Sequence, residues 1–220
     1  MKGPAIWENA AQNDLEGVQH ELDEGANVDE RGGNVDEQYT PLEIAIICEI
    51  HRRFKGRGCE AVVELLLQYG ADHGVVSSWC EDPSIKSSRE TMLHICAIHG
   101  EVDVARVLLR NGADANAKND RGETPLYTSV YTSGFKHLYM SLDMVGVLLR
   151  NGANVDAKGT DGTVLNLCAG RGYTGLAELL LLHGADINNA ENSASGFIEV
   201  SPSPSRALKG FRRTDTPRGA

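Results

Sequence analysis

A Gly-Ala pair recurs five times along the chain of 220 residues, as Gly25-Ala26-Asn27, Gly70-Ala71-Asp72, Gly112-Ala113-Asp114, Gly152-Ala153-Asn154 and Gly184-Ala185-Asp186. Any fold for this chain must be built on an internal repeat. Each pair closes an apolar segment with helical spacing, such as Val104, Val107 and Leu108, or Met144, Val147 and Leu148. The glycine therefore stands where a helix ends in a left-handed cap, and a helix is predicted ahead of each one.

A second phrase lies upstream of four of these sites: Thr40-Pro41-Leu42-Glu43, Thr91-Met92-Leu93-His94, Thr124-Pro125-Leu126-Tyr127 and Thr163-Val164-Leu165-Asn166. Threonine suits a helix N-cap, and proline suits the first turn, where its missing N–H costs nothing. Another helix is predicted to start at each phrase. Five residues after each threonine come Ala45, Cys96, Ser129 and Cys168, all small, as close approach between neighbouring helices requires. With 41% apolar but only 5% aromatic residues, the composition also suits many small helices better than a sheet core.

The phrase, a helix, a turn, a second helix and Gly-Ala-Asp together resemble the ankyrin repeat, a unit of nominally about 33 residues. The third unit is the cleanest, with 33 residues from Thr91 to Thr124. The resemblance implies an all-α repeat solenoid of five stacked ankyrin units, each a helix-turn-helix with a β-hairpin projecting between units. The units are expected at about 4–36, 37–87, 88–120, 121–160 and 161–190, making a repeat domain over 1–190. Residues 191–220 are expected to form a degenerate cap segment around Gly196-Phe197-Ile198-Glu199-Val200, then a disordered tail rich in Ser, Pro and Arg.

Three departures set this chain apart from a regular array. Units two and four run 30 and 28 residues from threonine to the Gly-Ala glycine, against 21 in units three and five. The insertions fall at Glu49 to Gly58 and at about Ser133 to Ser141, between the two helices of each unit. A long loop with Trp79, Cys80 and Pro83 separates Gly70 from Thr91. The first unit lacks the threonine phrase, and its second helix is polar, which suits an end cap facing water.

The formal net charge is −10, and −12 over residues 1–186. Such a surface repels a phosphate backbone, so nucleic acid is not expected as the main partner. No apolar run reaches the roughly 18 residues of a membrane span, and Glu8 comes too early for a secretory signal. An intracellular, monomeric protein that does not act at a membrane is expected. The five cysteines form no close pair, which favours reduced structural thiols.

No metal, cofactor or catalytic set is read from the chain. The histidines lack the i, i+4 spacing of a helical metal site, and His94 fits the hydrogen-bonding support of a hairpin that the resemblance implies. Lys55-Gly56-Arg57-Gly58 looks like a phosphate loop, but no strand precedes it and its spacing fits neither phosphate-loop pattern.

The resemblance implies instead an adaptor, scaffold or inhibitor that binds a protein through hairpin tips and the inner face of the first helices. Carried over by position, the candidate contacts are Arg89, Glu90, Ile98 and His99 in unit three, and Asp120, Arg121, Glu123, Tyr131 and Thr132 in unit four. Unit five adds Thr160, Asp161 and Arg171. A secondary candidate is the basic insert Arg52, Arg53, Lys55 and Arg57, suited to an acidic partner segment. Two alternatives stand beside this reading: a piece of a larger ankyrin protein whose function lies elsewhere, and a nucleotide-binding protein or enzyme.

Overall fold

The computed structural model describes residues 5–34, 37–52, 58–77, 89–131 and 138–189. Over these residues the backbone forms five helix pairs: α1 (Ile6–Gln12) and α2 (Leu15–Asp23), α3 (Pro41–Arg52) and α4 (Glu60–Gln68), α5 (Met92–His99) and α6 (Val102–Arg110), α7 (Pro125–Tyr131) and α8 (Leu138–Arg150), and α9 (Val164–Arg171) and α10 (Thr174–Leu182). The first helices pack in chain order as one layer and the second helices as another. The expected all-α solenoid of five stacked units is therefore present.

Three antiparallel hairpins connect the units: β1 (Gly32–Asn34) with β2 (Glu37–Tyr39), β3 (Val76–Ser77) with β4 (Glu90–Thr91), and β5 (Lys158–Gly159) with β6 (Gly162–Thr163). Between units three and four the turn is closed by Asn119 N–H donating to the Glu123 carbonyl at 3.0 Å. The segment from 190 onward, including the expected cap at 196–200, lies outside the described residues.

The recurrent glycines take φ between +84° and +95° at Gly25, Gly70, Gly112, Gly152 and Gly184. The alanine N–H that follows each one reaches back to the helix, from Ala26 to the Glu21 carbonyl at 2.9 Å and from Ala113 to that of Leu108 at 3.0 Å. This is a Schellman closure. At Gly25, Gly70, Gly152 and Gly184 an added Cβ would meet nothing within 4 Å, so the backbone angle and not crowding demands glycine there.

The threonine phrase caps the first helices in three of four cases. Thr40, Thr124 and Thr163 each accept the N–H of the residue three positions on, and Glu43 returns a bond to Thr40 N–H at 2.9 Å as a capping box. Thr91 differs, its hydroxyl meeting His94 Nδ1 at 2.8 Å. Leu42, Leu93, Leu126 and Leu165 are buried, as are the small residues Ala45, Cys96, Ser129 and Cys168. Burial drives the thiols of Cys59 and Cys96 well upward and that of Cys168 to about 12, which makes them inert core groups.

The insertions are in part helical. Helix α3 has 12 residues where α5 and α9 have 8, and α8 has 13 where α6 and α10 have 9. Part of each insert therefore lengthens a helix, and in α3 the buried Ile50 continues the apolar spacing of Ile46 and Ile47.

A row of side chains ties the loops behind the second helices together. Asp29 Oδ1 accepts Asp72 N–H at 3.1 Å, Asn116 Oδ1 accepts Asn154 N–H at 2.7 Å, and Asp156 Oδ1 accepts Asp186 N–H at 2.9 Å. Every acceptor sits four residues after its Gly-Ala glycine. Unit two carries Gly74 at that place and contributes no rung.

Two stability outcomes follow. Leu93→Ala, Leu126→Ala and Leu165→Ala should each cost about 2–5 kcal/mol, and three unchanged urea midpoints would show the core to be elsewhere. Asp156→Ala should cost about 1 kcal/mol, while Gly74→Asn should add a similar amount by supplying the missing rung to Asp114 N–H. A Gly74→Asn midpoint at or below wild type would refute the rung.

Candidate protein-binding face

The turn between units three and four is built around one side chain. Asn119 Oδ1 accepts the N–H groups of Arg121 and Glu123, both at 3.0 Å, while Nδ2 donates to Glu90 Oε1 at 3.0 Å and to Glu123 Oε2 at 3.4 Å. Gly122, at φ +74°, completes the reversal. Asp120 and Arg121 are left exposed at the tip. Arg89 is likewise exposed, just before β4.

Two of the sequence candidates turn inward. Glu90 is 7% and Glu123 2% exposed, so neither carboxylate is available as a free surface charge. The tip sequence Asn119-Asp120-Arg121-Gly122-Glu123 is polar throughout, and nothing in it distinguishes the buried acid from the exposed one. Asn119 makes the difference by bringing both glutamates to one amide.

His94 lies beneath the same turn and is fully buried. Its Nε2 is 3.0 Å from the Glu123 carbonyl, which can only accept, so Nε2 carries the hydrogen. Nδ1 of the neutral ring then accepts from the Thr91 hydroxyl. Burial holds this imidazole below its ordinary pKa, against the opposing pull of the Glu123 carbonyl and the Glu90 and Glu123 charges.

Tyr127 takes the fourth place of its phrase, where unit three has His94, and serves the next hairpin in the same way. Its hydroxyl accepts Asp161 N–H at 2.9 Å and lies 3.4 Å from Thr160 Oγ1, which is itself 3.4 Å from Glu123 Oε1. A Cβ on Gly159 would stand 2.3 Å from the Tyr127 ring, so that glycine exists to admit the phenol. Burial raises the pKa of the phenol and keeps it protonated.

Tyr131 is half-buried and stacks on Tyr127, with centroids 5.8 Å apart and planes at 19°. The Arg171 guanidinium sits 5.1 Å from the Tyr131 centroid and donates to the Val130 and Tyr131 carbonyls at the end of α7. Arg171 is thus exposed and also serves as a C-terminal cap of α7. Thr160 and Asp161 are exposed at the β5–β6 tip, and Ile98 and His99 are partly exposed at the end of α5.

The structure therefore gathers Asp120, Arg121, Tyr131, Thr160, Asp161 and Arg171 around the hairpins of units three to five. Asn119, Tyr127 and His94 are the supporting residues beneath them. Of these, only His94 was read as a support in the sequence; the register of Tyr127 with His94 is the signal that finds it, and Asn119 carries no such signal. Thr132, Arg53, Lys55 and Arg57 lie outside the described residues, and Arg52 ends α3. Among the described residues no group of three or more His, Cys, Asp or Glu gathers to hold a metal, and no helix is long and apolar enough to cross a membrane.

Residues 57–158 match the family described as ankyrin repeats (3 copies). A protein of Rickettsia bellii (strain RML369-C) named for ankyrin repeats is 36% identical over 67 residues, 30% of this chain and 28% of that protein. NF-kappa-B inhibitor alpha of Homo sapiens is 32% identical over 103 residues, 47% of this chain and 32% of that protein. SH3 and multiple ankyrin repeat domains protein 2 of Homo sapiens is 34% identical over 74 residues, 34% of this chain and 4% of that protein. The chain spans about a third or less of the length of these relatives. Residues 57–158 are thus ankyrin repeats, and helix pairs with left-handed glycines of the same kind continue on both sides of them.

Proposed function

We infer that the chain is a protein-binding module of the adaptor or inhibitor type, and that its contact face is the hairpin-tip and inner-helix side of units three to five. The observation that carries this reading is the buried support beneath exposed tips. His94, Asn119, Glu123 and Tyr127 fix the two turns from below, so Asp120, Arg121, Thr160 and Asp161 are displayed on a backbone that has little freedom left to lose on binding. Glu90 and Glu123 belong to that support and leave the contact set. The likeness to a relative named as an inhibitor favours the inhibitor form of the reading.

Charge and apolar area divide the work on such a face. Exposed Arg89, Asp120, Arg121 and Asp161 act mainly on encounter, and Tyr131 offers an amphipathic anchor acting mainly on lifetime. A pull-down from lysate with the wild-type chain, controlled by a variant altered at Arg121 and Tyr131, identifies the partner. With it in hand, Tyr131→Ala should speed dissociation, with a loss of about 1–3 kcal/mol, and Arg121→Glu should slow association in a salt-dependent manner. If both bind as wild type while Arg52, Arg53, Lys55 and Arg57 changed together to serine abolish binding, the basic insert is the recognition element instead.

The support also carries a pH dependence. The folded state holds His94 below its unfolded value of about 6.5, so the unfolded chain takes up the proton first. Stability from this site is whole above about pH 6.5 and is lost as pH falls from there towards the folded pKa. Urea midpoints at pH 7.5 and 5.5 should drop more for the wild type than for His94→Gln. Equal drops would remove His94 from the account.

A further inference from the structure

An open groove of about 650 Å³ runs between α2 and α4, the second helices of units one and two. Its lining side chains recur at i, i+3, i+4 and i+7 along each helix, from Glu16 to Asp23 and from Ala61 to Gln68, so one face of each helix forms a wall. Leu15, Ala61 and Leu65 give the groove an apolar part, and Glu16, Asp23 and Glu64 an acidic one. Leu15 is 42% exposed, and Tyr69 at the end of α4 is 44% exposed. Among the described residues Leu182 is the one other large apolar side chain left so open.

One of the acids is held in place for a donor from outside. Gln19 Nε2 donates to Asp23 Oδ1 at 2.8 Å and to the Tyr69 hydroxyl at 2.7 Å, and that hydroxyl donates to the same Asp23 oxygen at 2.7 Å. The three side chains lock one another across the two units, while Asp23 Oδ2 meets no donor among the described residues. Glu16 and Glu64 form no ion pair among the described residues.

The charge here belongs to these two units and not to the repeat. Helices α2 and α4 together hold Glu16, Glu21, Asp23, Glu60 and Glu64, with His20 their only basic side chain. At the place of Gln19 and Glu64, unit three carries Arg106. At the place of Asp23 and Gln68, units three and four carry Arg110 and Arg150. An acidic wall beside apolar side chains therefore occurs where the later units turn basic.

We propose that this groove docks a short basic amphipathic helix of a protein partner, its apolar side set on Leu15, Ala61 and Leu65 and its Lys or Arg residues meeting Glu16, Asp23 and Glu64. The rise from Glu16 to Asp23 is about 10 Å, or about two helical turns, which fits one apolar stripe flanked by cations. An acidic segment would meet like charge at all three positions. Because Asp23 is already ordered by Gln19 and Tyr69, a cation meeting it has less side-chain freedom to remove. The surface lies in the layer of second helices, apart from the hairpin tips, and does not depend on those tips binding anything.

Anisotropy of a labelled peptide of about 14 residues, with leucines on one helical face and lysines elsewhere, tests the proposal on the full chain at physiological ionic strength. The wild type should bind it and should ignore the peptide with glutamate in place of lysine. Glu16→Lys with Glu64→Lys should weaken binding at least about tenfold, and Leu15→Ser at least about threefold. Asp103→Lys with Asp143→Lys makes the same change of charge at the Glu16 place of units three and four, and should bind within about twofold of wild type. Arg121→Glu with Tyr131→Ala, which alters the hairpin face, should also bind like wild type. Equal weakening by the two pairs of lysine substitutions would overturn the proposal, because the acidic body as a whole would then be the attractor. Binding indifferent to Leu15→Ser, or no binding by the wild type, would overturn it too. So would a wild-type dimer in sedimentation that Glu16→Lys with Glu64→Lys makes monomeric, since a second copy would then be the occupant.

Discussion

Bonds that leave one unit and end on the next hold this stack together. A unit of two short helices has too little interior to stand alone, and units two to five each bury the leucine of their phrase. Apolar contact by itself tolerates sliding, since it has no direction. The hydrogen bonds from His94 and Tyr127 to the following hairpins do have direction, and so does the row from Asp29, Asn116 and Asp156 at the far side. Together they clamp successive units at two separated places and fix their mutual orientation.

The same bonds shape the candidate face. Burying the carboxylates of Glu90 and Glu123 is unfavourable unless donors meet them, and Asn119 meets both. A neutral imidazole below adds no competing charge. The outcome is that the Asn119 amide, Glu90 Oε1 and Glu123 Oε2 are committed to one another, and the side chains pointing away from the body remain for a partner. Tyr131 lies between these regimes, one face on Tyr127 and the Arg171 guanidinium close to its ring.

What could be read in the chain, and what could not, divides along a physical line. The helix ends were legible because a left-handed backbone angle restricts the residue type, as at Gly112, and because a threonine cap does so at Thr163. The buried leucines followed from the register of those ends. The fates of Glu90 and Glu123 were not legible, because burial of an acid depends on an amide 29 residues away from one and four from the other. The extra length of α3 is legible in part, since Ile50 keeps the helical spacing of Ile46 and Ile47 past the start of the insertion.

Gly74 leaves the junction between units two and three without the side-chain tie that three other junctions possess. The short pairing of Val76 with Thr91 and of Ser77 with Glu90 is the hairpin described at that junction. A stack of nearest-neighbour contacts is only as strong as its weakest joint. Under tension applied at its two ends, this rod should therefore part first at that seam, into one block of units one and two and another of units three to five. The candidate binding face would survive whole on the second block, which gives the molecule a built-in fracture plane that spares that candidate face.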